Sequence, residues 1–451
     1  MSFPAHIFAG LRFAVVGLGR NGLPAARALR AMGADVVAWD DQDAARAQAG
    51  AEGLRVATPE MRGLDVLVLS PGIPHILPAP HPIAAAARAA GVPILSDADL
   101  LYRAVRAAGS RARFAGVTGT NGKSTTTALL AHIVAGAGIP VAAGGNLGTA
   151  SLALPLLPDD GVYVLEMSSY MLERLAASRF DVAAMLNLSP DHLDRHGDMA
   201  GYARAKRAIF DRQDAGCTAV VGIDDAPSRE MAAGLPARIV TISAASEADV
   251  FARDGLLHDS AGAICDLRDA AALPGAHNAQ NAAAAAAMAL ALGVGRAAIA
   301  RGLLGYPGLP HRQERVGTIG GVLFVNDSKA TNADSTARAL ACYPRAVWIA
   351  GGIAKAGGIE PLAPFFPRIA QAFLIGRDAP LLAQTLARHD VPHARVGTLE
   401  NAVAAAWDAA RAGAAPVVLL SPACASFDQF TGFDARGDRF RALVRTLAEA
   451  A

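Results

Sequence analysis

The residues Gly116-Val117-Thr118-Gly119-Thr120-Asn121-Gly122-Lys123-Ser124-Thr125 carry the plainest chemistry in this sequence. A glycine-rich loop closing on Lys-Ser, between a strand over 114–117 and a helix over 125–136, is built to hold phosphates. Backbone N–H groups surround the oxygens, Lys123 meets the terminal phosphates and Ser124 meets Mg²⁺. Val117 stands where the strict pattern has its first glycine, and the glycines fall instead at 116, 119 and 122. Motif and context agree on ATP, held by Gly116, Thr118, Gly119, Thr120, Asn121, Gly122, Lys123, Ser124 and Thr125. A second turn, Gly17-Leu18-Gly19-Arg20-Asn21-Gly22, follows a strand over 12–16 and opens a helix, and Asp40 ends the next strand. This fits a diphosphate at a helix N-terminus with an acid for a ribose hydroxyl, although a tight turn needing glycine only for geometry is the competing reading. The turn senses phosphate and leaves the base open. Ser70-Pro71-Gly72-Ile73 is a second wall of that crevice or a plain proline turn.

Other candidates stand near the first loop. Glu166 ends a strand over 162–165, which directs it to the crevice beside the phosphates. His192 follows a strand over 182–186 and emerges on the same rim. A carboxylate and an imidazole beside a triphosphate point to Mg²⁺ or Mn²⁺, against the alternative of a solvated surface histidine. Lys206, on a helix expected over 199–211 between Arg204 and Arg207, reads from its neighbours as part of a solvated basic face. Asn278 and Asn281 share a face at the start of a helix over 278–292, offering amides to adenine or capping the helix.

The elements that must position these groups alternate, strand then alanine-rich helix, almost throughout. The fold class is therefore α/β with parallel sheets. At 451 residues the chain is long enough for two to four domains. A small polar stretch at 107–113 and a Gly/Pro-rich stretch ending Tyr306-Pro307-Gly308-Leu309-Pro310-His311 divide it into three. These are a Rossmann-like domain at 1–108, a central phosphate-loop ATPase-like domain at 109–310 and a Rossmann-like domain at 311–451, with the second stretch as a hinge. The 41 basic and 40 acidic residues leave a net charge of +1, which removes the bulk electrostatic case for nucleic acid or a membrane surface as partner. The mean hydropathy of +0.30 comes largely from alanine, and no apolar run is long enough to span a bilayer. With no secretory pattern at the N-terminus, a cytoplasmic protein is expected. Cys217, Cys265, Cys342 and Cys424 lie far apart and read as reduced thiols.

The chain resembles the Mur ligases and their folylpolyglutamate synthetase relatives, and the likeness covers nearly its whole length. Beyond the phosphate loop it runs, in order, through Gly145-Asn146-Leu147-Gly148, Glu166-Met167-Ser168-Ser169-Tyr170, Asn187-Leu188-Ser189-Pro190-Asp191-His192-Leu193-Asp194, Tyr202-Ala203-Arg204-Ala205-Lys206, His277-Asn278-Ala279-Gln280-Asn281, Leu309-Pro310-His311-Arg312, Asn326-Asp327-Ser328-Lys329-Ala330-Thr331-Asn332 and Ser421-Pro422-Ala423-Cys424-Ala425-Ser426-Phe427-Asp428. The resemblance implies ATP-driven joining of an amino acid to a carboxylate through an acyl phosphate, by a monomer. It implies UDP-N-acetylmuramoyl-L-alanine and glutamate as the small-molecule partners, with Lys123, Glu166, His192 and Lys206 as catalytic residues. The metal set it implies is Ser124, Glu166, His192 and Lys206, the last as a carbamate formed with CO₂. Arg312 and Asp327 join Asn278 and Asn281 on ATP. Gly17, Leu18, Gly19, Arg20, Asn21, Asp40, Ser70, Gly72, Asn146, Ser168 and His192 line the UDP-sugar, and Lys329, Thr331, Lys355, Ser426 and Phe433 the glutamate. Two departures stand out: Met171 where the family commonly has Gln, which questions a substrate contact there, and Ile353 where an acid is frequent. The competing readings are a folylpolyglutamate synthetase-like ligase, the same ligation with L-glutamate, a nicotinamide oxidoreductase and a non-catalytic nucleotide-binding module. The oxidoreductase leaves Lys123 unexplained. The module makes the lysines at 329 and 355 accidental.

Overall fold

Runs such as Arg12–Val16 and Val66–Leu69 are short, branched and almost fully buried, as strands covered on both faces must be. The computed structural model describes residues 1–450. It forms two compact units, one of Met1–Ala270 with Ala276–Tyr306, the other of Ala271–Gly275 with the chain from Pro307 onward. The division at Tyr306 falls inside the Gly/Pro-rich stretch.

The first unit holds two sheets. One is parallel, with strand order Arg55–Val56, Asp35–Trp39, Arg12–Val16, Val66–Leu69, Ile94–Leu95. The other has nine strands. Its parallel part runs Val141–Gly145, Val162–Glu166, Arg113–Thr118, Val182–Met185, Thr218–Gly222, Arg238–Ser243 and Val250–Arg253, and Leu256–Asp259 and Gly262–Asp266 extend it antiparallel. The strand before the phosphate loop therefore lies between the strands that end at Glu166 and precede His192, with Val117 opposite Glu166 and Thr118 opposite Met185. Alanine explains how the helices sit so close: Ala282 to Ala287 and Ala289 of helix Ala276–Ala291 are essentially inaccessible. That helix starts two residues earlier than the sequence pattern implies. The helix at Met199 ends at Arg207, because the chain turns at residues 208–211.

The expected boundary near 107–113 separates helix Asp97–Ala107 from strand Arg113–Thr118, yet side chains of both sheets and their helices, Phe13, Leu29, Leu101, Phe114 and Tyr163 among them, share one buried cluster. Two carboxylates reinforce it. Asp97 accepts from Ser151 N at 2.8 Å, and burial pushes its carboxyl upward against that bond. Asp99 Oδ1 accepts from the backbone of Ala176, Ala177 and Ser178 (3.0, 2.7 and 2.8 Å), while Oδ2 accepts from Arg103 at 2.9 Å. Burial alone would raise the Asp99 carboxyl, but these donors hold it below the usual range.

The second unit has a six-stranded sheet ordered Glu314–Ile319, Val322–Asn326, Val417–Leu420, Ala346–Gly351, Ile369–Ile375, His393–Gly397, parallel except for its first strand. Trp348 fills its centre and donates to Ser421 O at 2.8 Å. No helix among the described residues is long and apolar enough to cross a membrane.

Asp99→Ala is expected to destabilise the protein by about 3 kcal/mol, since it leaves the N–H groups of residues 176–178, one buried and two partly buried, without their acceptor. Because the folded carboxyl lies below its unfolded value, this contribution is present at neutral pH and lost as pH falls through the folded value. Denaturant unfolding of wild type and variant at neutral and acid pH checks both. Equal midpoints at neutral pH would contradict the assignment.

Candidate active site

The phosphate loop spans the end of strand Arg113–Thr118 and the start of helix Lys123–Gly136, whose first N–H groups and dipole favour an anion. Gly122 adopts φ +84°, and a Cβ there would collide with Asn281 Oδ1. Both the backbone conformation and the approach of Asn281 thus require glycine. Gly116 lies within the strand against the Phe180 ring, where glycine is a packing need. Asn187 braces the loop: its backbone O accepts from Thr120 N at 2.8 Å, its Oδ1 from Asn121 N at 2.9 Å, and its Nδ2 donates to Asn121 O and Gln280 Oε1. Ser124 and Thr125 are buried at the helix start. Asn278 and Asn281 are buried too, and Asn281 Nδ2 donates to Asn278 Oδ1 at 3.0 Å.

Lys206 is the main departure from the sequence pattern. It is 1% exposed and donates to Gly119 O at 2.7 Å, with its ammonium over the Tyr202 ring. A solvated basic face is thereby corrected: the helix turns Lys206 inward while Arg204 stays exposed. Burial, then the charge of Lys123, lowers the Lys206 amine well below its ordinary value. Lys123 itself donates to Gly119 O and Thr120 O, both at 2.8 Å. Glu166 is 2% exposed, with Oε1 bonded to Asn146 Nδ2 at 2.7 Å and Oε2 accepting no hydrogen bond among the described residues. His192 adopts φ 52° and lies exposed beside Asp191 and the Tyr170 ring. Burial lowers its imidazole, with Lys123 and Lys206 acting in the same direction and Asp191 opposing.

An orphaned buried carboxylate oxygen among lysines suits a divalent cation, and Ser124, Glu166 and His192 offer the donor types it takes. Among the described residues no three His, Cys, Asp or Glu side chains converge.

A separate cavity of about 440 Å³ brings together Gly17, Gly19, Arg20, Asn21, Asp40, Ser70, Gly72 and Asn146. Gly22 must be glycine because Gly17 O approaches its Cα, whereas Gly19 faces open space. Asp40 accepts from Leu18 N at 2.6 Å and from Gln42 N at 2.9 Å. Leu18, Ser168 and His192 are not among the lining residues. Leu18 supplies that N–H, and Ser168 caps helix Ser169–Leu172. Met171 is buried in the core, so the departure from glutamine falls on a side chain directed away from solvent. Asp41, Gln42 and His81 line the same cavity, with His81 Nε2 3.1 Å from Asp41 Oδ2. Nothing in their spacing marks them. Likewise unmarked is the buried His196, which bridges Glu173 and Ser169 at 3.0 and 2.9 Å.

In the second unit Lys329 lies over the Phe433 ring, Ser426 is buried and Lys355 is exposed. Lys355 and Ser426 each directly follow one strand of the small ladder Ile353–Ala354 and Cys424–Ala425. Thr331 N bonds to Lys329 O at 2.9 Å. Arg312 is half-buried between His311 and Gln313, both of positive φ. Asp327 is buried, with Oδ1 on Gln313 N and Oδ2 on Ser421 Oγ, and burial pushes its carboxyl up to about 7.

Doubly wound sheets with a phosphate loop at the central strand define a nucleotide-binding α/β protein. Residues 117–289 match the Mur ligase middle domain. The chain is 52% identical to the UDP-N-acetylmuramoylalanine--D-glutamate ligase of Paramagnetospirillum magneticum, over 97% of this chain and 96% of that one. It is 48% identical to the Rhodospirillum rubrum protein of the same name, over 99% and 96%. The chain belongs to the Mur ligase family. Its fold is similar to that of UDP-N-acetylmuramate-alanine ligase MurC from Thermotoga maritima (TM-score 0.63, 16% identity, 97% of this chain and 100% of that one). It is also similar to MurF from Acinetobacter baumannii (TM-score 0.61, 20% identity, 100% and 93%).

Gly122→Ala should weaken binding of a non-hydrolysable ATP analogue by at least about tenfold, because both φ and Asn281 must shift. Calorimetric titration reads the change. Unaltered affinity in a folded variant would contradict this account of the loop.

Proposed function

We propose that this chain is an ATP-dependent ligase that adds D-glutamate to UDP-N-acetylmuramoyl-L-alanine, a cytoplasmic step of peptidoglycan synthesis. The observation that carries the reading is the near full-length identity to ligases of that name. The cavity at Gly17 supports it against a folylpolyglutamate synthetase, since a folate has no diphosphate for that turn to hold.

The reaction follows from what each group can do. A carboxylate is a poor electrophile, so its oxygen first attacks the γ-phosphorus of ATP, releasing ADP and leaving an acyl phosphate. The neutral amine of glutamate then adds to the acyl carbon. The tetrahedral adduct loses phosphate, which carries away the former carboxylate oxygen, and one proton, leaving the amide. Lys123, at the helix start, offsets the repulsion between a carboxylate and a triphosphate. Ser124, Glu166 and His192 would hold Mg²⁺ or Mn²⁺, which when bound screens the phosphoryl charge. Lys206 is proposed to carry a carbamate: its amine adds to CO₂ and loses a proton, and burial beside Lys123 favours the neutral amine this needs. Arg312 and Asp327, with Asn278 and Asn281, are assigned to the nucleotide. Gly17 to Asn21, Asp40, Ser70, Gly72, Asn146, Ser168 and His192 are assigned to the UDP-sugar. Lys329, Thr331, Lys355, Ser426 and Phe433 are assigned to glutamate, whose two carboxylates require cationic and hydroxyl partners.

Phosphate release with Mg²⁺ and ATP is expected only when UDP-N-acetylmuramoyl-L-alanine and D-glutamate are both present. Turnover with L-glutamate instead, or with folate, would overturn the reading. Lys206→Ala should lower turnover by about 100-fold or more, and ¹³C-labelled CO₂ should give a carbamate resonance in wild type alone. Full turnover of the variant would defeat the carbamate.

A further inference from the structure

Two arginines outside the phosphate-binding motifs meet one loop. Arg174, 3% exposed, follows helix Ser169–Leu172. Its Nη1 donates to Leu69 O at 2.7 Å and Ser70 O at 3.1 Å, and its Nη2 to Ile73 O at 2.6 Å. Arg195, three residues past His192, donates to Gly72 O at 2.9 Å and Ile73 O at 3.4 Å, with its guanidinium 4.4 Å from the centre of the Tyr170 ring. The carbonyls of residues 69, 70, 72 and 73 are thus gathered by two planar cations from the nine-stranded-sheet side of the unit. That loop is the wall of the diphosphate cavity, and Ser70 Oγ passes the constraint on by donating to Gly17 O at 2.6 Å.

Arg174 forms no ion pair with a carboxylate among the described residues, and burial lowers its guanidinium to about 10. A cation that only filled this volume would be inferior to an apolar side chain, because desolvating it is costly. What the guanidinium supplies is a rigid fork of donors matched to carbonyls that diverge from one turn. Its own segment is fixed in turn. Ser96 N donates to Arg174 O at 2.9 Å, and Asp99 holds the backbone of residues 176–178. His75 Nδ1 lies 3.4 Å from Nη2, and burial followed by the charge of Arg174 pushes that imidazole down to about 4, leaving it neutral and able to accept.

We propose that Arg174 is a positioning residue for the sugar-nucleotide end of the substrate: with Arg195 it locks loop 69–73 to the segment bearing His192, so the diphosphate wall and the phosphoryl-transfer groups hold a fixed spacing. This rests on the reading that the cavity takes the UDP end. A purely structural arginine would alter stability and spare substrate discrimination.

Full-length Arg174→Met and Arg174→Lys proteins separate the two. Calorimetry with UDP-N-acetylmuramoyl-L-alanine is expected to show binding at least about tenfold weaker for the Met variant. The Lys variant should fall between, since an ammonium donates without the planar fork. KM for ATP should stay within about twofold of wild type. Unchanged sugar-nucleotide affinity in a folded Met variant, or a parallel rise in both substrates' constants, overturns the proposal. Should the Met variant fail to fold, the Lys variant decides: about threefold weakening or more supports it, and wild-type affinity overturns it. Failure of the wild-type protein to bind the sugar nucleotide is a distinct result, which removes the functional reading and this proposal with it.

Discussion

Two lysine nitrogens donate to one carbonyl oxygen, that of Gly119, and the rest of the site is arranged around this pairing. Lys123 reaches it from the helix start and Lys206 from a buried position behind the loop. Two amino groups converging on a single acceptor are stable only where the surroundings over-determine their positions, and here the desolvated one, beside the charge of Lys123, is driven toward its neutral form. Asn187 supplies part of that determination by bonding to the backbone of Thr120 and Asn121, and Tyr202 covers the buried amine with its ring. The charge of Lys123 at a helix N-terminus is what a triphosphate and an incoming carboxylate both require.

Close approach is the second constraint. The loop can pass Asn281 only because residue 122 has no Cβ, and the alanines of helix Ala276–Ala291 let that helix carry Asn281 to the strand ends. The alanine content that raises the mean hydropathy thus serves packing distance. Alanine also loses little side-chain entropy in a helix, so the same choice favours the element and its approach together.

Buried polar groups in the first unit bind backbone. Asp97, Asp99 and Arg174 each fix a turn by donating to or accepting from main-chain atoms at or beyond the ends of regular elements. Such groups cost desolvation but leave few alternative arrangements, and they join two sheets into one body that carries both the diphosphate cavity and the phosphate loop. The sequence boundary near 107–113 separates the five-stranded sheet from the nine-stranded one along the chain. In space the helix before it and the strand after it contribute to a single core.

Local order alone determined the alternation of strand and helix, the two glycine turns and the placement of Glu166 at the end of a strand flanking the phosphate loop, because period, turn chemistry and strand ends are set by neighbours along the chain. Tertiary structure decided what no spacing encodes. Lys206 looks solvated among arginines, and only the packing of its helix against the loop buries it. Met171 looks like a lost substrate contact until the core is seen to enclose it. Asn187, His196 and Arg174 carry no signature, since their partners lie tens of residues away and hydrogen bonds across that separation exist only once the sheets have assembled. Chemistry that sits on one turn is written in the chain, whereas chemistry that depends on which residues are desolvated together is written in the fold.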